Sequence, residues 1–119
     1  MKKKRIMIVE DEAISAMLLR KRCEEWGWEV VGIEGTGRGA ITLAARVHLD
    51  AILMDIRLRD DIDGIEAART INCNIPVIFH TAYTDEITRQ RAEVLSPTAF
   101  LEKPARDSQL SEVLQRIDE

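Results

Sequence analysis

Four short apolar runs in this chain end close to side chains that can do chemistry. The runs are residues 6–9, 51–54, 76–79 and 99–101, and the side chains that follow them are Glu10, Asp11, Asp55, His80, Thr81 and, one residue further on, Lys103. If the runs are parallel strands of one sheet, their carboxyl ends share the edge at which such sheets bind ligands. The sequence therefore predicts one site that contains three carboxylates, a hydroxyl and an ammonium group.

The three carboxylates of this predicted site, Glu10, Asp11 and Asp55, indicate a cation site. Crowded carboxylates repel one another and raise each other's pKa unless a cation lies among them. Oxygen ligands favour a hard divalent cation, and Mg²⁺, which keeps several waters, fits this set better than Ca²⁺. Zinc is disfavoured because His80 is the only histidine or cysteine at the predicted strand ends.

Asp55 stands alone after a strand predicted to be central, which makes it the candidate nucleophile toward a phosphoryl group. Phosphoryl transfer requires neutralisation of the equatorial oxygens more than it requires acid or base groups. Mg²⁺ and Lys103 could each neutralise one oxygen, and the Thr81 hydroxyl could donate a hydrogen bond to the third. A metal-dependent phosphohydrolase is an alternative, but Arg57 stands where such an enzyme would need a second aspartate as acid and base.

Alternating strands and helices must position these residues. The strand-like runs are apolar throughout, as in parallel strands that are covered on both faces, so we predict a doubly wound α/β domain over 1–119. A further strand is expected at 29–33. Helices are expected at 12–26, 40–47, 65–71 and 85–94, and a closing helix is expected at the carboxyl end.

Helical periodicity predicts which side chains face the core. In the first helix the predicted stripe consists of Ala16, Leu19, Cys23 and Trp26, widened by Ile14 and Leu18, and Gly27 is the predicted stop. The stripe of the closing helix consists of Leu110, Val113, Leu114 and Ile117. The glycines of 35–39 imitate half of a dinucleotide-binding fingerprint, but their spacing is wrong and we interpret them as a flexible turn.

Composition excludes several classes of function. The net charge is −4, from 17 basic and 21 acidic residues, which argues against direct binding to nucleic acid. The basic residues 2–5 precede only four apolar residues, too few for a signal peptide, and no apolar stretch approaches the roughly 20 residues of a membrane span. We therefore expect a cytoplasmic protein, in which Cys23 and Cys73 are buried or half-buried thiols.

Five segments together resemble the receiver domain of two-component response regulators. They are residues 8–12 (IVEDE), 53–58 (LMDIRL), Asp63-Gly64, Thr81-Ala82 and Lys103-Pro104. Each segment alone is a weak signal, but their order and spacing match the family over essentially the whole chain. The resemblance implies a five-stranded parallel sheet in the order 2-1-3-4-5, with helices on both faces, as in flavodoxin.

The resemblance also implies a role for each site residue. Asp55 resembles the phosphoacceptor, Glu10 and Asp11 resemble the acidic pair that holds Mg²⁺, and the backbone carbonyl of Arg57 would complete the protein ligands. Thr81 resembles the switch hydroxyl, and Lys103, before an expected cis Pro104, resembles the lysine that pairs with the phosphoryl group. Phe100 lies where the family has an aromatic switch residue, a role compatible with that of a core aromatic.

Two departures from the family pattern affect the site. Glu10 replaces the more common aspartate, and the loop at 59–63 lacks a frequent proline and is one residue longer than the commonest form. Arg57 and Tyr83 occupy positions that, in this family, tune the access of water to the phosphoaspartate. Bulky side chains at both positions predict a persistent phosphorylated state.

The resemblance implies partners as well as chemistry. A histidine kinase or a histidine phosphotransfer protein would donate the phosphoryl group in a Mg²⁺-dependent reaction, and a downstream effector protein or domain would respond. The chain would catalyse its own phosphorylation and dephosphorylation without being a conventional turnover enzyme. A phosphorylation-independent interaction module, a phosphorylation-linked homodimer, and a stand-alone protein or a fragment of a longer one remain open alternatives.

Overall fold

The computed structural model describes residues 2–71 and 74–119, in which strands and helices alternate. The strands are β1 Arg5–Val9, β2 Glu29–Glu34, β3 Ala51–Met54, β4 Val77–Thr81 and β5 Ala99–Glu102. The helices are α1 Ala13–Glu25, α2 Gly37–Ala44, α3 Gly64–Ile71, α4 Glu86–Glu93 and α5 Asp107–Asp118. Most predicted bounds are correct to within one or two residues.

The five strands form one parallel sheet in the order β2-β1-β3-β4-β5, which confirms the predicted topology. One row of paired residues crosses four of the strands, since Val9 pairs with Met54, Met54 with Phe79, and Phe79 with Phe100. Because the strands are parallel, the residues after this row meet at the same edge of the sheet.

The helices cover both faces of the sheet. One core cluster combines strand residues Val9, Met54 and Phe79 with buried residues of α2, α3 and α4. The other cluster combines the alternate strand residues, such as Ile8 and Leu53, with buried residues of α1 and α5. Side chains alternate across a strand, so both faces of a doubly covered sheet need apolar residues, and this explains the continuous apolar runs.

The stripe predicted for α1 is too wide. Ala16 and Cys23 are buried and Leu19 packs against the core, but Ile14 is 72% exposed and Leu18 is 52% exposed. Met17, between them, is 68% exposed. The helix therefore presents a core-facing stripe and an apolar patch on the outside, which periodicity alone merged into one face. In α5, by contrast, the predicted stripe is buried or packed against the core throughout.

Helix α2 begins at Gly37, three residues before the predicted start. Its first turn is satisfied from outside the helix: the Thr36 hydroxyl accepts a hydrogen bond from the Gly39 N–H, at 2.9 Å. The Asp60 carboxylate accepts bonds from the N–H groups of Gly37 (2.8 Å) and Arg38 (3.1 Å). Two glycines interpreted as a flexible turn thus belong to a helix, because the adjacent Thr36 and a carboxylate from a distant loop both cap it.

Cys23 is completely buried, as expected, and burial raises the pKa of its thiol to about 12. The expectation for Cys73 lies outside the described residues. Gly27 ends α1 in the left-handed region, with φ of 90°, as its predicted role as a stop requires. Among the described helices, none combines the length and the apolar character needed to cross a membrane.

Helix α3 starts in contact with the backbone of Asp55. The Gly64 N–H donates to the Ile56 carbonyl at 2.7 Å, which closes the loop between β3 and α3. A Cβ at Gly64 would lie 2.0 Å from the Asp55 carbonyl oxygen and 2.9 Å from Met54 Cγ. No side chain fits there, so glycine is required by the close approach of two backbones.

Replacing Gly64 with alanine should therefore destabilise the protein. The gain in helix propensity is about 1 kcal/mol, whereas overpacking against backbone costs about 1–3 kcal/mol and also strains the Asp55 segment. We expect a net loss in the free energy of unfolding, measured by urea denaturation. Gly39→Ala is the control, since the nearest neighbours of its added Cβ are side-chain atoms of Glu34 and Thr36 and not backbone. A Gly64→Ala protein more stable than wild type would contradict the close approach.

Candidate functional site

Two buried carboxylates lie at the carboxyl edge of the sheet. Glu10 follows β1 and Asp55 follows β3, immediately after the paired residues Val9 and Met54. Glu10 is 4% exposed and Asp55 is 8% exposed. Two carboxylates with so little access to water require a cation or several donors nearby, because burial penalises their charged form.

The Lys103 ammonium group supplies that cation. Its Nζ lies 2.5 Å from Glu10 Oε1 and 2.9 Å from Asp55 Oδ2. The Lys103 N–H also donates to the Thr81 carbonyl at 2.9 Å, and the Lys103–Pro104 peptide bond is cis, as expected. The end of β5 is thereby fixed to the end of β4, with the lysine side chain directed at the two carboxylates.

The pKa values of these groups reflect burial and pairing. Burial raises the pKa of Glu10 above its ordinary value, although the hydrogen bond from Lys103 opposes the effect. Burial alone would lower the pKa of Lys103, but the hydrogen bonds to Glu10 and Asp55 outweigh it and raise that pKa. The ammonium group is thus held in its charged form by the carboxylates it bridges.

Asp11 joins the two buried carboxylates to form an acidic trio. One carboxylate oxygen from each of Glu10, Asp11 and Asp55 lies within 4.8 Å of the others, and Asp11 is the most exposed of the three. The donors are all oxygens, and the trio has one side open to water. This arrangement fits Mg²⁺, which combines a few carboxylates with retained waters.

The other oxygen of each buried carboxylate is bound by a backbone N–H group. The Ile56 N–H donates to Asp55 Oδ1 at 2.7 Å, and the Glu12 N–H donates to Glu10 Oε2 at 3.1 Å. Both side chains are therefore held in one orientation before any ligand arrives. Such preorganisation lowers the cost of binding a charged group at this edge.

Thr81 is fully buried at the end of β4, and its hydroxyl accepts a hydrogen bond from the Tyr83 N–H at 3.1 Å. As the acceptor in this bond, the hydroxyl keeps its hydrogen available for a second partner. The Arg57 guanidinium lies 4.3 Å from the centre of the Tyr83 ring, in a cation–π contact. This contact joins the loop after β3 to the loop after β4.

Phe100 is half-buried on β5 and has aromatic and cationic neighbours. Its ring centre lies 6.2 Å from that of Phe79, and the Arg89 guanidinium of α4 lies 4.7 Å from it. Phe100 also packs against the core cluster that contains Phe79. It therefore belongs to the core and at the same time contacts the helix that follows Thr81.

Neither histidine takes part in the trio. Burial, reinforced by the charge of Lys103, lowers the pKa of His80 to about 4, so its imidazole is neutral at neutral pH. His48 is exposed and lies 3.1 Å from Asp50. Asp50 also accepts a bond from the Arg5 N–H at the start of β1, which places this pair at the opposite edge of the sheet.

The loop after β3 contains contacts that the sequence did not indicate. Arg59 donates from Nη2 to the Asp11 carbonyl at 3.3 Å and from its backbone N–H to the Gly35 carbonyl at 3.1 Å. Asp60 caps α2, as described above. These contacts join residues 22 to 48 positions apart, and neither periodicity nor a local capping pattern could have revealed them.

Comparison with known proteins identifies the family to which this chain belongs. Residues 6–115 match the family model of the response regulator receiver domain. The chain is 35% identical over 109 residues to the transcriptional regulatory protein PdtaR of Mycobacterium tuberculosis. That match covers 90% of this chain and 53% of PdtaR, so the chain spans about half the length of this relative.

Solved receiver domains have the same fold. The signal receiver domain of a modulated diguanylate cyclase from Desulfovibrio desulfuricans superposes with a TM-score of 0.90 at 33% identity, covering 98% of this chain and 94% of that one. The receiver domain of a sensor histidine kinase from Pseudomonas aeruginosa, solved with magnesium in its active-site cleft, gives a TM-score of 0.87 at 29% identity, covering 99% and 100%. This chain belongs to the response regulator receiver domain family.

Proposed function

We propose that the chain accepts a phosphoryl group on Asp55 in a Mg²⁺-dependent reaction and regulates a partner through the resulting change in shape. The observation that carries this proposal is the contact of Lys103 with two buried carboxylates, Glu10 and Asp55. A structural ion pair needs one carboxylate for one ammonium group. The second buried carboxylate and the neighbouring Asp11 are explained by a divalent cation and an incoming phosphoryl group.

Glu10, Asp11 and Asp55 would hold Mg²⁺, together with the backbone carbonyl of Arg57. The ion would supply positive charge to the phosphoryl oxygens. It would also relieve the repulsion among the three carboxylates, and this frees Lys103 from the task of neutralising them alone. The ammonium group could then turn toward the phosphoryl group without leaving an unpaired buried acid behind.

Asp55 would be the nucleophile. One of its carboxylate oxygens forms a bond to phosphorus while the bond from phosphorus to the donor breaks, and the leaving group keeps the bonding electron pair. The Ile56 N–H, which binds Asp55 Oδ1, fixes the rotation of the attacking carboxylate. Lys103 and the Thr81 hydroxyl are the remaining donors for the phosphoryl oxygens.

The phosphoryl group would change the structure through Thr81. The phosphorylated site gains nearly two negative charges and three acceptor oxygens, which attract the Thr81 hydroxyl and Lys103. Movement of Thr81 would displace the β4–α4 loop, whose Tyr83 N–H is bonded to the Thr81 hydroxyl. Phe100 lies between the core and α4. Rotation of this ring would transmit the change to the surface formed by α4, β5 and α5 and so to an effector.

The phosphoryl donor would be a separate protein, a histidine kinase or a histidine phosphotransfer protein in the cytoplasm. Within this chain, His80 is poorly accessible and His48 lies at the opposite edge of the sheet. The exposed apolar patch of Ile14, Met17 and Leu18 begins just after the acidic pair. A protein large enough to bring a histidine to Asp55 would cover this patch and gain affinity from its burial.

Acetyl phosphate and Mg²⁺ should add a single phosphoryl group to the protein. We expect the adduct in the intact mass of the wild type, and its loss in Asp55→Asn or when EDTA removes the metal. Asp11→Asn, which removes a carboxylate that does not bind phosphorus, should slow labelling without moving the site. A folded protein that binds Mg²⁺ but forms no adduct would contradict the proposal and favour a phosphorylation-independent interaction module.

Lys103→Met should make the protein depend more strongly on Mg²⁺ for stability. Without the ammonium group, Glu10 and Asp55 face each other unpaired. In EDTA the free energy of unfolding should fall by about 2 kcal/mol, less than for a fully buried pair because the lysine side chain is 24% exposed. Mg²⁺ should restore more stability to this variant than it adds to the wild type.

Urea denaturation with and without Mg²⁺ measures both effects of the Lys103 substitution. Lys21→Met, which removes an exposed lysine of α1, is the matched control. An equal effect of Mg²⁺ on the wild type and on Lys103→Met would show that the lysine does not neutralise the metal site.

Shortening Arg57 and Tyr83 to alanine should shorten the lifetime of the phosphorylated state. The two side chains stack across the loops after β3 and β4, and their removal opens the approach of water to Asp55. Loss of a contact worth about 0.5–1 kcal/mol corresponds to hydrolysis about two- to fivefold faster. Decay of the adduct by intact mass measures this. A lifetime unchanged in the double variant would remove the basis for a shielding role.

A further inference from the structure

The β3–α3 loop is attached to α2 by the carboxylate of Asp60. Its Oδ1 accepts a hydrogen bond from the Gly37 N–H at 2.8 Å, and its Oδ2 accepts one from the Arg38 N–H at 3.1 Å. We call this pair of bonds the Asp60 clasp. Both carboxylate oxygens are used, and the two donors are the first N–H groups of the helix, where a negative charge is most favourable.

The clasp is supported by close packing. A Cβ at Gly37 would lie 2.5 Å from the Ile62 carbonyl oxygen and 2.6 Å from Ile62 Cγ2, so the loop lies directly against the start of the helix. The Asp60 side chain is 17% exposed. Desolvation opposes ionisation of Asp60, but the two backbone N–H groups outweigh it and hold its pKa below the ordinary value. Asp60 is therefore charged and fixed at neutral pH.

The same loop bears the backbone group expected to bind Mg²⁺. Arg57 lies between the buried residues Ile56 and Leu58, and Asp60 follows three positions later. The loop is fixed at its far end by the Gly64 N–H bond to Ile56. Between Leu58 and Gly64, the clasp and the Arg59 contacts attach the loop to α2 and to the Asp11 segment. The ion pairs Asp61–Arg38 and Asp63–Arg91 and the packing of Ile62 against the core attach it further along.

Arg59 connects the clasp to the acidic trio. Its backbone N–H binds the Gly35 carbonyl, and its guanidinium binds the carbonyl of Asp11, which is itself one of the three carboxylate residues. A loop freed from α2 would release the Arg59 contacts together with the segment that contains Arg57. The Asp60 clasp thus restrains both the Arg57 segment and, through Arg59, the backbone of Asp11.

We propose that Asp60 is a positioning residue for the magnesium site: the clasp holds the β3–α3 loop so that the Arg57 carbonyl and Asp11 face the cation. The inference rests on the proposed Mg²⁺-dependent function. Asp60 acts through the loop and does not touch the ion or the phosphoryl group. Its contribution should therefore appear as a change in Mg²⁺ affinity, with the rate at saturating Mg²⁺ little changed.

The test compares Asp60→Ala with Asp61→Ala. Both substitutions remove one negative charge from the same loop, but the Asp61 carboxylate binds the exposed Arg38 side chain and no helix N–H group. Mg²⁺ affinity is measured directly by calorimetry on the unphosphorylated protein. The Mg²⁺ dependence of labelling by acetyl phosphate is a second measurement, and urea denaturation in EDTA reports the loss of the helix cap.

We expect Asp60→Ala to weaken Mg²⁺ binding about three- to tenfold, at or below the lower end of the effect of residues that orient metal ligands. Asp61→Ala should change the affinity less than about twofold, because an exposed charge is screened by salt. Asp60→Asn, which keeps one strong acceptor, should lie between Asp60→Ala and the wild type and protects the test against a variant that fails to fold.

Two results would overturn the inference. Lower stability of Asp60→Ala with unchanged Mg²⁺ affinity would make Asp60 a helix cap and nothing more. Equal losses of Mg²⁺ affinity in Asp60→Ala and Asp61→Ala would show that the effect comes from removing a negative charge and not from freeing the loop. A wild-type protein that binds no Mg²⁺ would instead contradict the proposed function itself, so the two failures are distinguishable.

Discussion

The contact of one ammonium group with two buried carboxylates governs the arrangement of this edge of the sheet. Glu10, Asp55 and Lys103 come from the ends of β1, β3 and β5, and each would be costly to bury alone. Together they are tolerated, because the lysine offsets part of the repulsion between the acids. Three strands must therefore end at matching heights, and the interaction links distant parts of the chain as it fixes the geometry of the site.

The close contact of Gly64 with Asp55 is the second constraint. It allows α3 to begin against the backbone of Asp55, the proposed phosphoacceptor. The β3–α3 loop therefore leaves β3 after Asp55 and returns to the same point at Gly64. The loop then reaches α2 and the Asp11 segment through Asp60 and Arg59. Backbone therefore packs closely against Asp55 on the sheet side, while the loop on the open side is held by polar contacts and by the packing of Ile62 against the start of α2.

Much of this structure could be predicted from sequence because parallel sheets have simple rules. Continuous apolar runs indicated buried strands, and their endings indicated that Glu10, Asp55, Thr81 and Lys103 meet. Periodicity failed for Ile14 and Leu18, since it detects apolar spacing but not which side of a helix has a neighbour. The predicted start of α2 is three residues late because two glycines in its first turn weaken the helical signal and because Asp60, which binds its first two N–H groups, lies far away in sequence. The Thr36 cap was the local signal for the earlier start.

The row of paired residues from Val9 to Phe100 fixes the height of the strand ends independently of the helices that connect the strands. Functional side chains follow that row at fixed distances, whereas the helices connect the strands from outside the sheet. Insertions and deletions in many of those connections would leave the height at which a strand ends unchanged. The polar groups at the edge can therefore keep the same geometry while the outer helical surfaces change, so that one arrangement of the edge is compatible with many different outer surfaces.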